Sequence, residues 1–219
     1  MNQETVERSE SLEQNKEQLR EFLTEGIFPV KGQCVIQLLL TKLEMIDMEL
    51  SMVLGRNVIQ AKSGRMKSYR STCKKLEKKG LKQNIPTAVK KIHDLIGVRA
   101  VCYYVDDIYR IEKKLKEQSD IRITKVKDYI QKPKSSGYQS LHVILQVPIG
   151  GQKEVQWMDA ELQLRTVEMD FWASLDHQLR YKKEGENMQT MDAELKECAR
   201  MIQKLDAKML HIRKKIEQI

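Results

Sequence analysis

The sequence predicts an α+β fold, a mixed sheet of four to five strands flanked by N- and C-terminal helices. Between Val98 and Arg165, short β-branched or alternating runs recur with turn residues between them. Outside that region, in Cys34–Leu54 and Asp192–Ile216, the apolar residues fall at helical spacing. At 219 residues the chain has room for one domain with its own core plus helical extensions, and two full domains would be cramped.

Taken in order, residues 1–10 read as a frayed end and Ser11–Thr24 as an amphipathic helix stopped by Gly26 and Pro29. Cys34–Leu54 is a longer helix, apolar around much of its circumference and therefore buried or shared with a partner. Arg65–Lys79 reads as a short basic helix closed by Gly80. Thr87 is placed to cap a further short helix that ends near Asp94. Val98–Tyr104 is a strand, Asp106 or Asp107 caps a helix to about Glu117, and Ile121–Val126 is a second strand, which makes a β-α-β unit. A third strand from Leu141 ends at Pro148, Gly150 and Gly151 turn the chain, and Val155–Arg165 is the fourth. Helices follow at Val167–Lys183 and Asp192–Ile216. The expected division is a helical extension over 1–54, a central domain over 55–184 and a C-terminal helix over 185–219.

Three features carry candidate chemistry. The segment Lys127–His142, KDYIQKPKSSGYQSLH, is a surface loop whose Lys127, Lys132 and Lys134 suit phosphate and whose Tyr138 offers a face for a base. The same composition also describes a solvated basic loop. On the basic helix, Lys67, Ser71 and Lys75 stack at four-residue steps with Arg65 at the N-terminal end. Like charges at that spacing repel, so an anion across them, such as a polyphosphate, would stabilise the arrangement; a solvated basic face is the alternative. On the fourth strand, Asp159, Glu161, Gln163 and Arg165 form a polar row opposite Met158, Ala160, Leu162 and Leu164, and His142 lies on the polar side of the neighbouring strand. A carboxylate among phosphate-binding lysines either holds magnesium or takes a proton from an attacking hydroxyl, and Glu161 and Asp94 are the two candidates.

With 39 basic and 31 acidic residues the net charge is +8, which favours anionic partners without choosing among nucleotide, nucleic acid and membrane surface. Cys34, Cys73, Cys102 and Cys198 lack the spacing of a zinc or redox motif and read as reduced core thiols. The polar, acidic N-terminus is unlike a signal peptide and no run reaches the length of a membrane span, so the expectation is a cytoplasmic protein with no membrane partner.

Five ordered blocks over residues 64–183 resemble the small alarmone synthetases, the single-domain members of the RelA/SpoT family: GRMKSYRSTCKK, HDLIGVRAV, VKDYIQKPKSSGYQSLH, ELQLRT and MDFWASLDHQLRYK. The resemblance implies a nucleotidyltransferase-like sheet. It also implies transfer of the β,γ-pyrophosphate of ATP to the ribose 3′-hydroxyl of GDP or GTP, or of GMP, with release of AMP. By that resemblance Arg65 and Arg99 would flank adenine, and Lys67, Ser71 and Lys75 would hold the ATP phosphates. Asp94 would bind Mg2+, Tyr138 would stack on guanine, and Lys127, Lys134 and His142 would contact acceptor phosphates. Glu161 would be general base and magnesium ligand, with Gln163 and Arg165 completing the row. Product hydrolysis is not expected, because the family's separate hydrolase domain needs a His-Asp metal motif and a longer chain. Ser136 stands where the family usually has asparagine, and Arg56–Ser63 matches the family poorly.

Two rivals remain open: a toxin-type relative that modifies the 3′ end of tRNA, and a non-catalytic nucleotide- or RNA-binding module. RNA is a permitted partner rather than a required one. The last helix carries Leu195, Cys198, Ile202, Leu205, Met209, Ile212 and Ile216 at three-four spacing, a seam that packs either on Cys34–Leu54 or on another copy. Because members of this family commonly form homotetramers, the expectation is a homotetramer with the terminal helices at its interfaces.

Overall fold

Gln3–Thr24 (α1) and Ile27–Leu54 (α2) open the chain in the computed structural model, which describes residues 3–150, 155–181 and 188–218, with side chains for 12–150, 155–179 and 191–218. There follow Ile59–Met66 (β1), Tyr69–Lys78 (α3), Ile85–Lys91 (α4), Ile96–Cys102 (β2), Val105–Lys116 (α5), Arg122–Asp128 (β3), Leu141–Ile149 (β4), Gln156–Thr166 (β5), Val167–Tyr181 (α6) and Met188–Ile216 (α7). The five strands form one mixed sheet in the order β1-β2-β5-β4-β3, antiparallel except for the parallel β2–β5 pair.

Alternation along the strands sorts the sheet into two faces. Val98, Ala100 and Cys102 of β2 and Met158, Ala160, Leu162 and Leu164 of β5 join Ile36, Leu39, Leu43 and Ile46 of α2 and Ile108 and Ile111 of α5 in the main core. Burying one such aliphatic side chain contributes roughly 1.5–3 kcal/mol, so this face holds the sheet together. α2 lies close to β1, and any side chain at Gly64 would collide with Ile36. A second cluster packs Leu19 and Leu23 of α1 against Leu76 of α3 and Ala88 of α4. The opposite face of the sheet bears the polar row, with α6 crossing beside β2 and β5.

Several expectations change. α1 already begins at Gln3 and α2 at Ile27 rather than Cys34, so Pro29 lies in the first turn of α2, where its missing N–H costs nothing. The sheet has five strands, within the expected four to five; the one with no position assigned from the sequence is β1, which begins in the stretch that matches the family poorly. Arg65 therefore belongs to a strand, opposite Gly97, and not to a helix running from Arg65 to Lys79. The Lys67 N–H continues the pairing to the Leu95 carbonyl at 2.8 Å, and only then does Ser68 cap α3, its hydroxyl accepting from the Ser71 N–H. Asn84, not Thr87, caps α4, accepting from the Thr87 N–H. The N-cap position of α5 is Tyr104, with Asp106 and Asp107 in its first turn. Pro148 does not end β4: it lies opposite Trp157, on a stretch that β3 no longer reaches, so no ladder bond is lost on that side.

All four cysteines are free, but Cys102 alone is buried, and Cys34 and Cys198 are exposed. The C-terminal seam is not covered by α2, whose apolar face lies on the sheet. α7 runs along α6 and α5, burying Leu195, Ala199, Asp206 and Arg213, while Leu205, Met209, Ile212 and Ile216 face outward. Gly151, Lys183 and the boundary drawn between 184 and 185 lie outside the described residues.

Candidate active site

Strand register assembles the polar face. Gly97 and Arg99 of β2 lie opposite Glu161 and Gln163 of β5, Gln163 in turn lies opposite His142 of β4, and Arg65 of β1 lies opposite Gly97. Because Gly97 carries no side chain, the space beside Glu161 stays open. A cavity of about 390 Å³ is lined there by Arg65, Asp94, Arg99, Glu161, Gln163 and Arg165, among others.

Asp94 lies between α4 and β2 and is held by two lysines. Lys67 Nζ donates to its Oδ2 at 2.9 Å and Lys75 Nζ to its Oδ1 at 2.8 Å. Burial pushes the Asp94 carboxyl up, but the hydrogen bonds and charges of Lys75 and Lys67 outweigh it and hold the group below the usual carboxylate range. The anion needed to relieve Lys67–Lys75 repulsion is thus built into the chain. The pair converges from a connecting segment and from α3, not along one helix face. Ser71 is on the same helix and bonds Ser68 Oγ at 2.9 Å. The Arg65 side chain is exposed and has no hydrogen-bond or ion-pair partner among the described residues.

Glu161 is buried between a histidine and an amide. Its Oε1 meets His142 Nδ1 at 3.1 Å and its Oε2 accepts from Gln163 Nε2 at 2.9 Å. Burial raises its carboxyl, the His142 hydrogen bond and charge and the Gln163 amide lower it, and Asp94 pushes back up; the net is a depressed value. His142 Nε2 lies 2.8 Å from the Tyr138 hydroxyl, which accepts from Arg165 Nη2 at 2.8 Å. The guanidinium can only donate, so the tyrosine oxygen accepts from Arg165, and the His142 ring bridges that hydroxyl to Glu161. Arg165 Nη2 also donates to Gln163 Oε1 at 3.0 Å, closing a ring from Glu161 through His142, Tyr138, Arg165 and Gln163.

The loop delivers Tyr138 through a tight turn. Gly137 has φ 94°, a left-handed value that favours glycine, and a Cβ there would stand 2.7 Å from Ala199 of α7. Ser136 Oγ accepts from the Tyr138 N–H at 3.4 Å, so this turn forms with serine at the position. Lys134 Nζ sits 4.4 Å from the Tyr138 ring centroid and 4.7 Å from that of Tyr129. Partial burial lowers the Lys134 pKa, Glu161 raises it, and Lys127, Lys75 and Arg165 lower it. Groups from α3, β3, the loop and β5 therefore meet in one field. Lys127 itself lies on β3, opposite His142.

Residues 64–186 match the family described as a region found in RelA/SpoT proteins, more than half of the chain. The chain belongs to the RelA/SpoT family. It is 42% identical over 177 residues to the GTP pyrophosphokinase YwaC of Bacillus subtilis, covering 81% of this chain and 84% of that relative. The fold is similar to the crystal structure of small alarmone synthetase 2 from B. subtilis, with TM-score 0.73, 40% identity and coverage of 85% and 96% of the two chains. It is also similar to small alarmone synthetase 1 from the same organism, bound to its product pppGpp, with TM-score 0.78, 28% identity and coverage of 86% and 96%.

Against the roles that RelA/SpoT resemblance implies, the structure brings Arg65, Arg99, Asp94, Glu161, Gln163 and Arg165 to one cavity, with Lys67 and Lys75 behind Asp94. His142, assigned to acceptor phosphate, has both ring nitrogens engaged, on Glu161 and Tyr138, and is buried. Tyr138, assigned to guanine stacking, has Lys134 and the Arg165 guanidinium near its ring. Sequence reasoning missed Asp170 in the first turn of α6, which accepts from Arg99 and Arg165. It also gave no partner to Asp159, which bonds His93 at 2.9 Å and Gln146 at 2.9 Å. An acid three residues into a helix reads as a dipole partner, so no spacing rule would have separated Asp170 from ordinary first-turn acids.

Proposed function

We propose that this chain is a GTP pyrophosphokinase that moves the β,γ-pyrophosphoryl group of ATP to the ribose 3′-hydroxyl of GDP or GTP, producing (p)ppGpp and AMP. The observation that carries the reading is that Asp94, paired with two lysines, and Glu161, held by His142 and Gln163, line one cavity with Arg65 and Arg99. A bond forms between the 3′ oxygen and the β-phosphorus, the bond from that phosphorus to the bridging α,β oxygen breaks, and AMP leaves with that oxygen. Glu161 takes the 3′ proton, which its ionised state at neutral pH allows. Arg65 and Arg99 bind the adenosine end, while Lys67, Lys75 and Ser71 hold its phosphates and offset the charge that shifts toward AMP. Lys127, Lys134 and Tyr138 receive the acceptor.

Mg2+ binds through one or two carboxylates plus substrate phosphates, and the two carboxylates of this cavity, Asp94 and Glu161, fit that donor set. When bound there it would polarise phosphoryl oxygens. The proposed location is the cytoplasm, alongside the nucleotide substrates. Among the described residues no helix is long and apolar enough to cross a membrane.

A homotetramer is the proposed assembly, supported by outward-facing apolar residues on α2 (Met45, Met48, Met52, Val53) and on α7 (Leu205, Met209, Ile212, Ile216). Light scattering on the purified chain tests it, and a monomer at micromolar concentration overturns it. The function itself is tested by incubating the chain with β,γ-labelled ATP and, separately, GDP, GTP, GMP and tRNA. Label on a guanine nucleotide together with AMP supports the proposal. Label on tRNA alone favours the toxin-type activity, and none on any acceptor favours a binding module.

A further inference from the structure

One oxygen of Asp170 serves both halves of the site. Asp170 Oδ1 accepts from Arg99 Nη1 at 3.0 Å and from Arg165 Nη1 at 2.9 Å. The two arginines stand on the parallel neighbours β2 and β5, with Arg99 in register with Gln163 and Arg165 two residues further along. Two guanidinium groups brought this close repel, and a shared carboxylate fixes both through charge-assisted bonds. Both line the cavity, but Arg99 is 42% exposed, whereas Arg165 is 9% exposed and spends Nη2 on Tyr138 and Gln163. Arg99 thus reaches the donor side, and Arg165 reaches the acceptor loop and, through Tyr138 and His142, Glu161.

We propose that Asp170 is a positioning residue that couples the two nucleotide sites, transmitting occupancy of the Arg99 side to the Arg165–Tyr138 side through its single bridging oxygen. The proposal rests on the assignment of ATP to the Arg99 side and of the guanine nucleotide to the Tyr138 side. When a nucleotide draws Arg99 toward itself, the shared oxygen is released to Arg165 alone. Arg165 then holds Tyr138 more firmly, and the acceptor meets an ordered surface. Asp170 itself touches neither nucleotide.

The test measures the affinity of the full-length protein for a non-hydrolysable ATP analogue with and without saturating GDP, in the wild type, Asp170→Asn and Asp170→Ala. Coupling in the wild type should be at least about fivefold, the low end for linked sites. In Asp170→Ala it should fall to about onefold. Asp170→Asn keeps the oxygen but not the charge and should lie between. Equal weakening of both nucleotides with the coupling factor preserved is what a merely structural role produces, and it overturns the proposal, as does absence of coupling in the wild type. If Asp170→Ala does not fold, the near-isosteric Asp170→Asn decides alone, and an unchanged factor in it overturns the proposal. A wild type that makes labelled product without coupling refutes only this inference. A wild type that makes no product refutes the function on which it rests.

Discussion

Asp94 and Glu161 line the same cavity and both are held ionised, yet by different means. Asp94 sits between two full positive charges, Lys67 and Lys75. Glu161 is more deeply buried and is held by His142 and the Gln163 amide. The difference separates two jobs open to a carboxylate. A group pinned by cations is a poor proton acceptor and a good anchor for a charged cluster of phosphate, lysine and metal. A group held by a histidine and an amide, with no lysine or arginine on either oxygen, can accept a proton without giving up a lysine bridge.

The largest effect expected from this contrast is on Glu161. Glu161→Gln should lower kcat by roughly 10²–10⁴-fold while the affinities for both nucleotides stay near wild type, as for loss of a general base. Steady-state kinetics with parallel calorimetry measures it, and near-normal turnover would remove Glu161 from the proton transfer. Asp94→Asn should cost about 100-fold at fixed magnesium, the size of a lost electrostatic anchor on the moving group. Part of that loss should return as magnesium is raised, and a much smaller part in Glu161→Gln, because added metal does not replace the lost proton acceptor. Equal recovery in both variants would make the two carboxylates equivalent and break the comparison.

Tyr138 tests the ring of bonds behind Glu161. Tyr138→Ala should weaken the guanine nucleotide by about 1–3 kcal/mol, the range found for a stacked base, and leave the ATP analogue nearly unchanged. Tyr138→Phe keeps the ring and removes the hydroxyl between Arg165 and His142, so it should cost only about 1 kcal/mol, seen in kcat rather than in acceptor binding. Equal losses for donor and acceptor in Tyr138→Ala would move the tyrosine out of the acceptor side.

The smallest effect is on stability. The Asp94 carboxyl is lowered in the fold, so its contribution is complete above the ordinary carboxylate range and is lost as pH falls through the lowered value. Thermal melts between about pH 5 and pH 2 should therefore show a steeper loss of Tm in the wild type than in Asp94→Asn. A parallel pair of curves would mean that the Lys67 and Lys75 bridges contribute nothing to folding.

Much of the site could be read from the chain alone because its signals are local. The alternation Met158-Asp159-Ala160-Glu161-Leu162-Gln163-Leu164 assigns each side chain to a face with no knowledge of neighbours; the burial pattern agrees except at Glu161, which its neighbours on the polar face bury. Gly137 next to Tyr138 marks a turn for the same reason. The boundaries near β1 were not legible. Ile59-Gln60-Ala61-Lys62-Ser63-Gly64-Arg65-Met66 has few β-branched residues, since an edge strand with an exposed face needs little apolar patterning, and it becomes a strand by pairing with β2. The basic run that followed looked helical as far back as Arg65, because a count of residue types does not record that pairing.

Composition, turn chemistry and two-residue alternation determined the α+β class, the loop and the polar row, since each depends on residues within a few positions of one another. What only the tertiary structure decided is who faces whom. Asp94 meets Lys67 from 27 residues away and Lys75 from 19, and His142 reaches Glu161 across 19. Asp170 gathers Arg99 from 71 residues away and Arg165 from 5. Electrostatic attraction and hydrogen bonding act over a few ångströms of space whatever the distance along the chain: the docking of α3 beside the start of β2 makes the Asp94 pairs, the antiparallel β4–β5 register makes the Glu161 pair, and the parallel β2–β5 register with the crossing of α6 makes the Asp170 pairs, none of which any local stretch encodes.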